Sequence, residues 1–343
     1  MKQKRWVQGV LVVSTVALLA AGCSVPGLTE KKQSIDAPPS NSQEAKLGEE
    51  DIVTGKTDGK NVQVTVYAKD PKGMVVPVTL NVPEMKQIAK SALEYMVDGG
   101  PSVSLLPKGF TAILPKGTEI KPLDVNDEKT ATVDFNKAFA GYDGKDERKI
   151  MEAITWTLTG FPSIKQVKIR VDGKDLSEMP VAKTPMDEPL SRAMGINLEK
   201  AESVDYTYSQ PVTLYFTGQT DTQYKYYVPV TRLVKRSQDV AKTVMEELKK
   251  GPAGQKGLTA VLSEHTRVEE AKESEEGLVT VNFSGELLGE DKKVPEETLQ
   301  SVVLSLTENT GAAKVQIKVN GDAQVTSTGK PVSRPSHVNP VKM

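Results

Sequence analysis

The chain has 343 residues, 44 Lys and Arg against 45 Asp and Glu, and a formal net charge of −1. That balance supplies no electrostatic drive toward nucleic acid. Its single cysteine, Cys23, excludes an internal disulfide framework or a thiolate metal cluster.

Residues 1–22 read as an address. Lys2, Lys4 and Arg5 form a basic start, Val10 to Leu19 is an apolar run too short to span a bilayer, and Ala20-Ala21-Gly22 are small, as a cleavage site needs. Leu19-Ala20-Ala21-Gly22-Cys23 resembles the bacterial lipobox. That resemblance implies that the Cys23 thiol receives a diacylglyceryl group and becomes the mature N-terminus. Two acyl chains suffice for stable anchoring. Removing the three cations takes the charge to −1 − 3 = −4. Residues 23–60 are rich in Ser, Pro, Gly, Lys and Glu and poor in large apolar residues, the composition of a flexible tether. As a coil such a segment spans roughly 30–40 Å.

From residue 61 onward the chain is written twice. Val76-Pro77-Val78-Thr79 returns as Val228-Pro229-Val230-Thr231, a shift of 228 − 76 = 152. Further on, Lys108-Gly109-Phe110-Thr111-Ala112 matches Lys256-Gly257-Leu258-Thr259-Ala260, and Val167 to Gly173 matches Val315 to Gly321, a shift of 315 − 167 = 148. A period this long marks tandem domains, not a solenoid. The domains are placed at 61–173 and 211–326, with a partly ordered segment at 174–210 and a disordered tail at 327–343.

In the first copy, Val62, Val64 and Val66 alternate with polar residues as a half-buried strand does. Met74 to Leu80 is a second strand, and Pro77 within it marks an edge or a bulge. Pro83 is placed in the first turn of a helix that runs through Met85, Ile88, Ala89, Ala92, Leu93 and Met96 and stops at Gly99-Gly100-Pro101. Glu119–Leu123 and Thr130–Phe135 form a hairpin turning near Asn126-Asp127. A second helix covers about Lys145–Thr159, with Trp156 on its core face, and Gln166–Val171 is the last strand. The second copy repeats the order, with Ser237 capping its first helix, Pro295 opening the second and Gly311 ending it. The fold class is therefore α+β: two homologous small domains, each a mixed sheet of three to five strands with two helices on one face.

Little in this chain looks catalytic. His265 and His337 read as exposed loop residues, and no metal-ligand spacing joins them to a carboxylate. Asp134 becomes Asn282 in the second copy, which argues for a polar strand position and not an acid or base. Glu246-Glu247 and Glu269-Glu270 read as solvated surface. Neither an enzyme, a catalytic residue, a metal nor a cofactor is expected, apart from the covalent lipid on Cys23. Tyr206, Tyr208, Tyr215, Tyr224, Tyr226 and Tyr227 crowd the start of the second copy. They read either as an exposed face for a protein or a glycan or as ordinary strand formers, some of them buried.

The lipobox, the doubled unit, the Pro-Val-Thr start, the Gly-Pro helix stop, the Lys-Gly-Phe/Leu-Thr-Ala stretch and the closing Val-x-Ile-x-Val-x-Gly strand together resemble the GerM family of sporulation and spore-germination lipoproteins. The resemblance implies two GerMN domains similar to ring-building modules. It implies a lipid-anchored position on the extracytoplasmic face of the mother-cell membrane engulfing the forespore. It implies a non-enzymatic role in the trans-envelope complex, with SpoIIQ and SpoIIIA proteins as neighbours, and links to engulfment, spore peptidoglycan and germination. The rival expectation is a peptidoglycan-binding or cortex-acting factor; no nucleic-acid partner is expected under either.

Overall fold

The structure, a computed structural model, describes residues 61–341 apart from Pro122, Asp187, Glu188, 200–205, Gln255, Lys256, Gln324 and Ser327, with the backbone alone at Tyr206. The signal segment, Cys23 and the tether lie outside the described residues.

The first copy opens with a hairpin. Strand β1 (Asn61–Lys69) pairs antiparallel with β2 (Val75–Pro83). The Asp70 carboxylate fixes the turn by accepting from the N–H groups of Lys72 (2.9 Å) and Met74 (2.8 Å). Pro83 ends β2 and does not start the helix; α1 is only Ile88–Glu94. A second sheet, in the order β3 (Asp124–Val125), β4 (Thr130–Phe135), β5 (Gln166–Val171), β6 (Lys174–Asp175), is mixed. The hairpin into β4 forms, but its first strand is β3 and not the expected Glu119–Leu123, where only an isolated bridge ties Ile120 to Phe135; β5 runs parallel to β4 after the crossover helix α2 (Glu147–Leu158). Phe110–Leu114 forms no regular strand; isolated bridges tie Thr111 to Lys69 and Leu114 to Val97.

The second copy follows the same order. β7 (Ser209–Gln219) and β8 (Lys225–Lys235) form the hairpin, extended by β9 (Leu258–Thr259) in the order β8-β7-β9. The mixed sheet runs β10 (Val268–Glu273), β11 (Leu278–Phe283), β12 (Lys314–Val319), β13 (Val332–Ser333), with β11 and β12 parallel. The helices are α3 (Val240–Lys249) and α4 (Glu296–Thr310). Asp239, not Ser237, caps α3, its carboxylate accepting from Lys242 N at 3.0 Å. Gly311 closes α4 in the left-handed region, at φ 71°.

The duplication is visible down to single hydrogen bonds. Thr65 and Thr79 share a hydroxyl contact of 2.8 Å, and Thr213 and Thr231 one of 2.9 Å. Asp134 Oδ1 accepts from Gly173 N at 2.9 Å, and Asn282 Oδ1 from Gly321 N at 2.9 Å. The only property both copies need at that strand position is an acceptor that holds the following turn, which is why an acid and an amide interchange there.

The tail expected to be disordered is packed. Its β13 pairs with β12, Val332 opposite Val315, and Asn339 is buried. In the segment between the copies, Leu190 bridges Val167 in the matching place, and Met179 and Ile196 are fully buried. Each copy therefore carries a C-terminal strap. The first holds Pro189-Leu190-Ser191-Arg192 and Ile196-Asn197, the second Pro331-Val332-Ser333-Arg334 and Val338-Asn339, a shift of 339 − 197 = 142.

Candidate functional site at the junction of the two copies

β2 and β8 meet across the two domains as outward edges. The N–H groups of Val75 and Thr79 point away from β1, to Asn197 Oδ1 and to the Asn339 carbonyl. Period-two geometry puts the nitrogen of Pro77 on the same side, where it has no proton to donate. Pro229 holds the matching place in β8, between Tyr227 and Thr231, whose N–H groups reach Asn339 Oδ1 and the Ile196 carbonyl. A proline at the centre of both edges blocks continuous direct pairing, so side-chain amides bridge them. Asn197 Nδ2 donates to Val75 O (2.7 Å) and Pro229 O (2.8 Å); Asn339 Nδ2 donates to Tyr227 O and Pro77 O, both at 2.8 Å. Exchanging the copies exchanges the two asparagines, so the junction has a local twofold. Both adopt positive φ, 47° and 53°, a region asparagine tolerates better than most residues.

The tyrosines belong largely to this junction. The second copy's hairpin is four residues longer, 152 − 148 = 4, and continues through the pairs Gly218–Tyr226 and Gln219–Lys225. Tyr226 lies across Gly218, where a Cβ would sit 2.8 Å from its ring. Its hydroxyl donates to Asp70 Oδ2 of the first copy at 2.9 Å. Tyr226 and Tyr224 also pack edge-on against Phe110, with ring centroids 5.0 and 6.1 Å away. Burial raises the phenol of Tyr224 to about 12, and burial with Glu296 and Glu297 does the same for Tyr227. Tyr215 and Tyr226 are 1% and 3% exposed, so these two are buried strand residues and not part of an exposed face; Tyr224 and Tyr227 are part-buried and Tyr208 stays 70% exposed.

Charged residues read as solvated or incidental are buried here too. Glu247 pairs with Arg232 at 2.9 Å, and Arg232 Nε also donates to Glu199 of the first strap at 2.8 Å. Arg232 Nη2 meanwhile takes the Gly251 carbonyl at the end of α3 (2.7 Å). Glu246, Glu269 and Glu270 are exposed as expected. His265 is exposed, but His337 sits half-buried in the second strap, where burial lowers its pKa.

Glu147 is nearly inaccessible. Burial alone would push its carboxyl up. Hydrogen bonds from the Thr184 hydroxyl (2.6 Å), the Ala182 and Thr184 N–H groups and the Tyr142 hydroxyl outweigh that and hold it down at about 2. The carboxylate thus pins the segment after the first copy to the start of α2.

Arg192 and Arg334 converge on Glu308. Arg192 Nη1 lies 2.8 and 2.9 Å from its two oxygens and Arg334 Nη2 2.6 Å from Oε2. The Arg192 guanidinium also covers Trp156, 4.4 Å from the ring. Trp156 is core, as its helical position implied, and its indole N–H donates to the Gly195 carbonyl at 3.2 Å. Among the described residues, no group of three His, Cys, Asp or Glu is placed to hold a metal, and no helix is long and apolar enough to cross a membrane.

No local motif marks Arg192, Arg232, Arg334, Asn197 or Asn339. The signal for four of them was there: the two straps repeat one another, but at a shift of 142, outside the 148–152 register of the domains.

Fold and junction together define a class: a fused pair of like α+β modules, held edge to edge by straps from each copy. A family model described as Germane, sporulation and spore germination, matches residues 65–177 and again 213–325. The chain is 38% identical to the spore germination protein GerM of Bacillus subtilis (strain 168), over 95% of each chain. The solved tandem GerMN domains of the sporulation protein GerM from Bacillus subtilis are similar with a TM-score of 0.77 and 41% identity, covering 82% of this chain and 100% of that one. The chain belongs to the GerM family of sporulation and spore-germination proteins with tandem GerMN domains.

Proposed function

We propose that this chain is a non-enzymatic assembly protein, anchored through lipid on Cys23 to the extracytoplasmic face of the membrane that surrounds the forespore. There it serves the trans-envelope complex between mother cell and forespore, with proteins of the SpoIIQ and SpoIIIA type as partners. Effects on engulfment, spore peptidoglycan and germination follow from that position.

One observation carries the reading. The buried charged groups at the junction (Glu199, Glu247, Glu308, Arg232 and Asp70) are each hydrogen-bonded within the protein; Glu199, Glu308, Arg232 and Asp70 hold the copies and straps together, and Glu247 braces Arg232. Such a molecule offers rigid surfaces to partners instead of a reactive pocket. Family membership supports a role in sporulation and germination. The glycan alternative loses two of its six candidate rings, because Tyr215 and Tyr226 are buried.

The test is cross-linking in sporulating cells with the full chain, alongside a Cys23→Ala variant and a deletion strain. Envelope-complex proteins captured by the anchored chain, and mislocalised in the deletion, are the expected result. A complex that assembles and localises normally without the chain would overturn the proposal.

A further inference from the structure

The local twofold is broken at one charged position. Arg192 lies five residues before Asn197 and Arg334 five before Asn339. Each runs along the last turn of its own domain's helix. Arg192 Nε donates to Thr159 Oγ1 and Arg334 Nη1 to Thr307 Oγ1, both at 3.0 Å, and the two threonines match, 307 − 159 = 148. A helix C-terminus with its free carbonyls suits a cation, so each arginine has a reason to be there. Both, however, then turn to the same carboxylate, Glu308. Its counterpart in the first copy is 308 − 148 = 160, and residue 160 is a glycine. Two guanidinium groups therefore face one carboxylate where a true twofold would supply two.

Gly160 lines a cavity of about 240 Å³, together with Arg192, Arg334, Trp156, Tyr215 and His337. His337 Nδ1 is buried and has no hydrogen-bond partner. Arg192 Nη2 has only a long 3.5 Å contact, to the Trp156 carbonyl. Donor capacity, a formal excess of one positive charge and space thus coincide on the side of the junction where the glycine stands.

We propose that this cavity binds a small organic carboxylate, its anionic group held by Arg192 Nη2 in the space beside Gly160 that the Glu308 side chain fills on the other side, with Arg334, whose Nη groups are taken by Leu304, Thr307, Tyr215 and Glu308, supplying charge. The excess is a single charge, which one carboxylate balances and a phosphate dianion overshoots. A carboxylate is also a strong charge-assisted acceptor for the N–H groups of Arg192 Nη2. The volume lies below the about 300–1,000 Å³ of drug-sized sites, so the ligand is small, on the scale of an acylated amino acid. Because the cavity is walled by residues of both copies and of the second strap, binding would stiffen the junction.

The experiment uses the full chain in neutral detergent, with melting followed against sodium acetate, N-acetylglycine, N-acetylglycinamide and inorganic phosphate, chloride holding the ionic strength constant. Acetate and N-acetylglycine should raise Tm saturably, the amide should not, and phosphate should act more weakly. Gly160→Glu places the absent side chain in the cavity; its Cβ comes to 3.1 Å from the Thr157 carbonyl, a contact a small local shift relieves. That variant should lose the carboxylate response. Arg192→Lys keeps the charge without the Nη2 donor and should raise the apparent Kd tenfold or more, a readout that stands even where Gly160→Glu does not fold. Absence of a saturable carboxylate effect, equal action of the amide or phosphate, or full affinity in Arg192→Lys would each overturn the assignment.

Discussion

Asn197 and Asn339 each do with one side chain what several ladder rungs do in an ordinary sheet. Each amide satisfies two carbonyls on opposite domains and one N–H, all of which would otherwise be underbonded at a water-poor junction. Removing either should cost about 1–3 kcal/mol, the range for stranding buried polar groups. Asn339→Asp should be worse than Asn339→Ala in urea denaturation, because a carboxylate cannot donate to Pro77 O and Tyr227 O. Arg232→Ala should cost more, about 3–5 kcal/mol, since it leaves Glu199 buried without its cation and Glu247 with only the exposed Lys250. Glu147 carries a pH signature. Its carboxyl falls from the ordinary 4.5 to about 2. The resulting stabilisation is complete above about pH 4.5 and is lost as pH falls toward 2, up to about 3 kcal/mol in all. Glu147→Gln should flatten that part of the stability–pH curve, read by urea melts between pH 5 and pH 2. None of these residues stood out in the sequence, because an asparagine or a glutamate in a loop says nothing of what faces it. Their roles depend on contacts with residues distant along the chain, such as Glu199 to Arg232 and Glu147 to Thr184.

Elements were more legible. The cores of α2 and α4 lie where apolar spacing placed them, and the alternating strands Thr130–Phe135 and Gln166–Val171 are as read. Helical spacing at Met85 and Ile88 predicts a longer helix after Pro83 than the one that forms, because the backbone there completes β2 first. The disordered reading of the tail failed for a definite reason. Proline content at 331, 335 and 340 signals extended chain, and extended chain can as well be a strap as a loose end. The strap supplies β13, Arg334 and Asn339, so truncation after Lys330 removes an edge strand, a partner of Glu308 and one of the two asparagine bridges. Such a chain should melt at clearly lower temperature. It should also be cut by protease between the domains at concentrations that leave the intact chain whole, while Lys330→Ala alone should behave like the parent. The hairpin extension allows a finer test. Gly218→Val has no room beneath the Tyr226 ring, and should break the Tyr226–Asp70 hydrogen bond without disturbing the rest of the β7–β8 register.

At the scale of the whole molecule, the duplication was plain in the sequence, but the way its copies meet was not. Two homologous domains can be strung on a linker or locked together, and composition does not separate the cases. The deciding features are Pro77 and Pro229 on facing edges, with the straps that bridge them. This geometry has an origin that can be tested. A junction with local twofold symmetry is the junction of a homodimer made covalent: each copy offers the same edge and the same asparagine. The first copy with its own strap, residues 61–199, keeps β2, Pro77 and Asn197. It lacks the longer hairpin and Glu308, which belong to the second copy. By analytical ultracentrifugation it should form a concentration-dependent dimer, with Asn197 bridging its own Val75 to the partner's Pro77, and Asn197→Ala should return it to monomer. Without Glu308, the two copies of Arg192 would face each other uncompensated, so the dimer should tighten as salt or an organic carboxylate is added. A fragment that stays monomeric at every concentration, with its fold intact by circular dichroism, would show that the asymmetric additions of the second copy, Tyr224, Tyr226 and Glu308, hold the junction and that the shared edge alone does not.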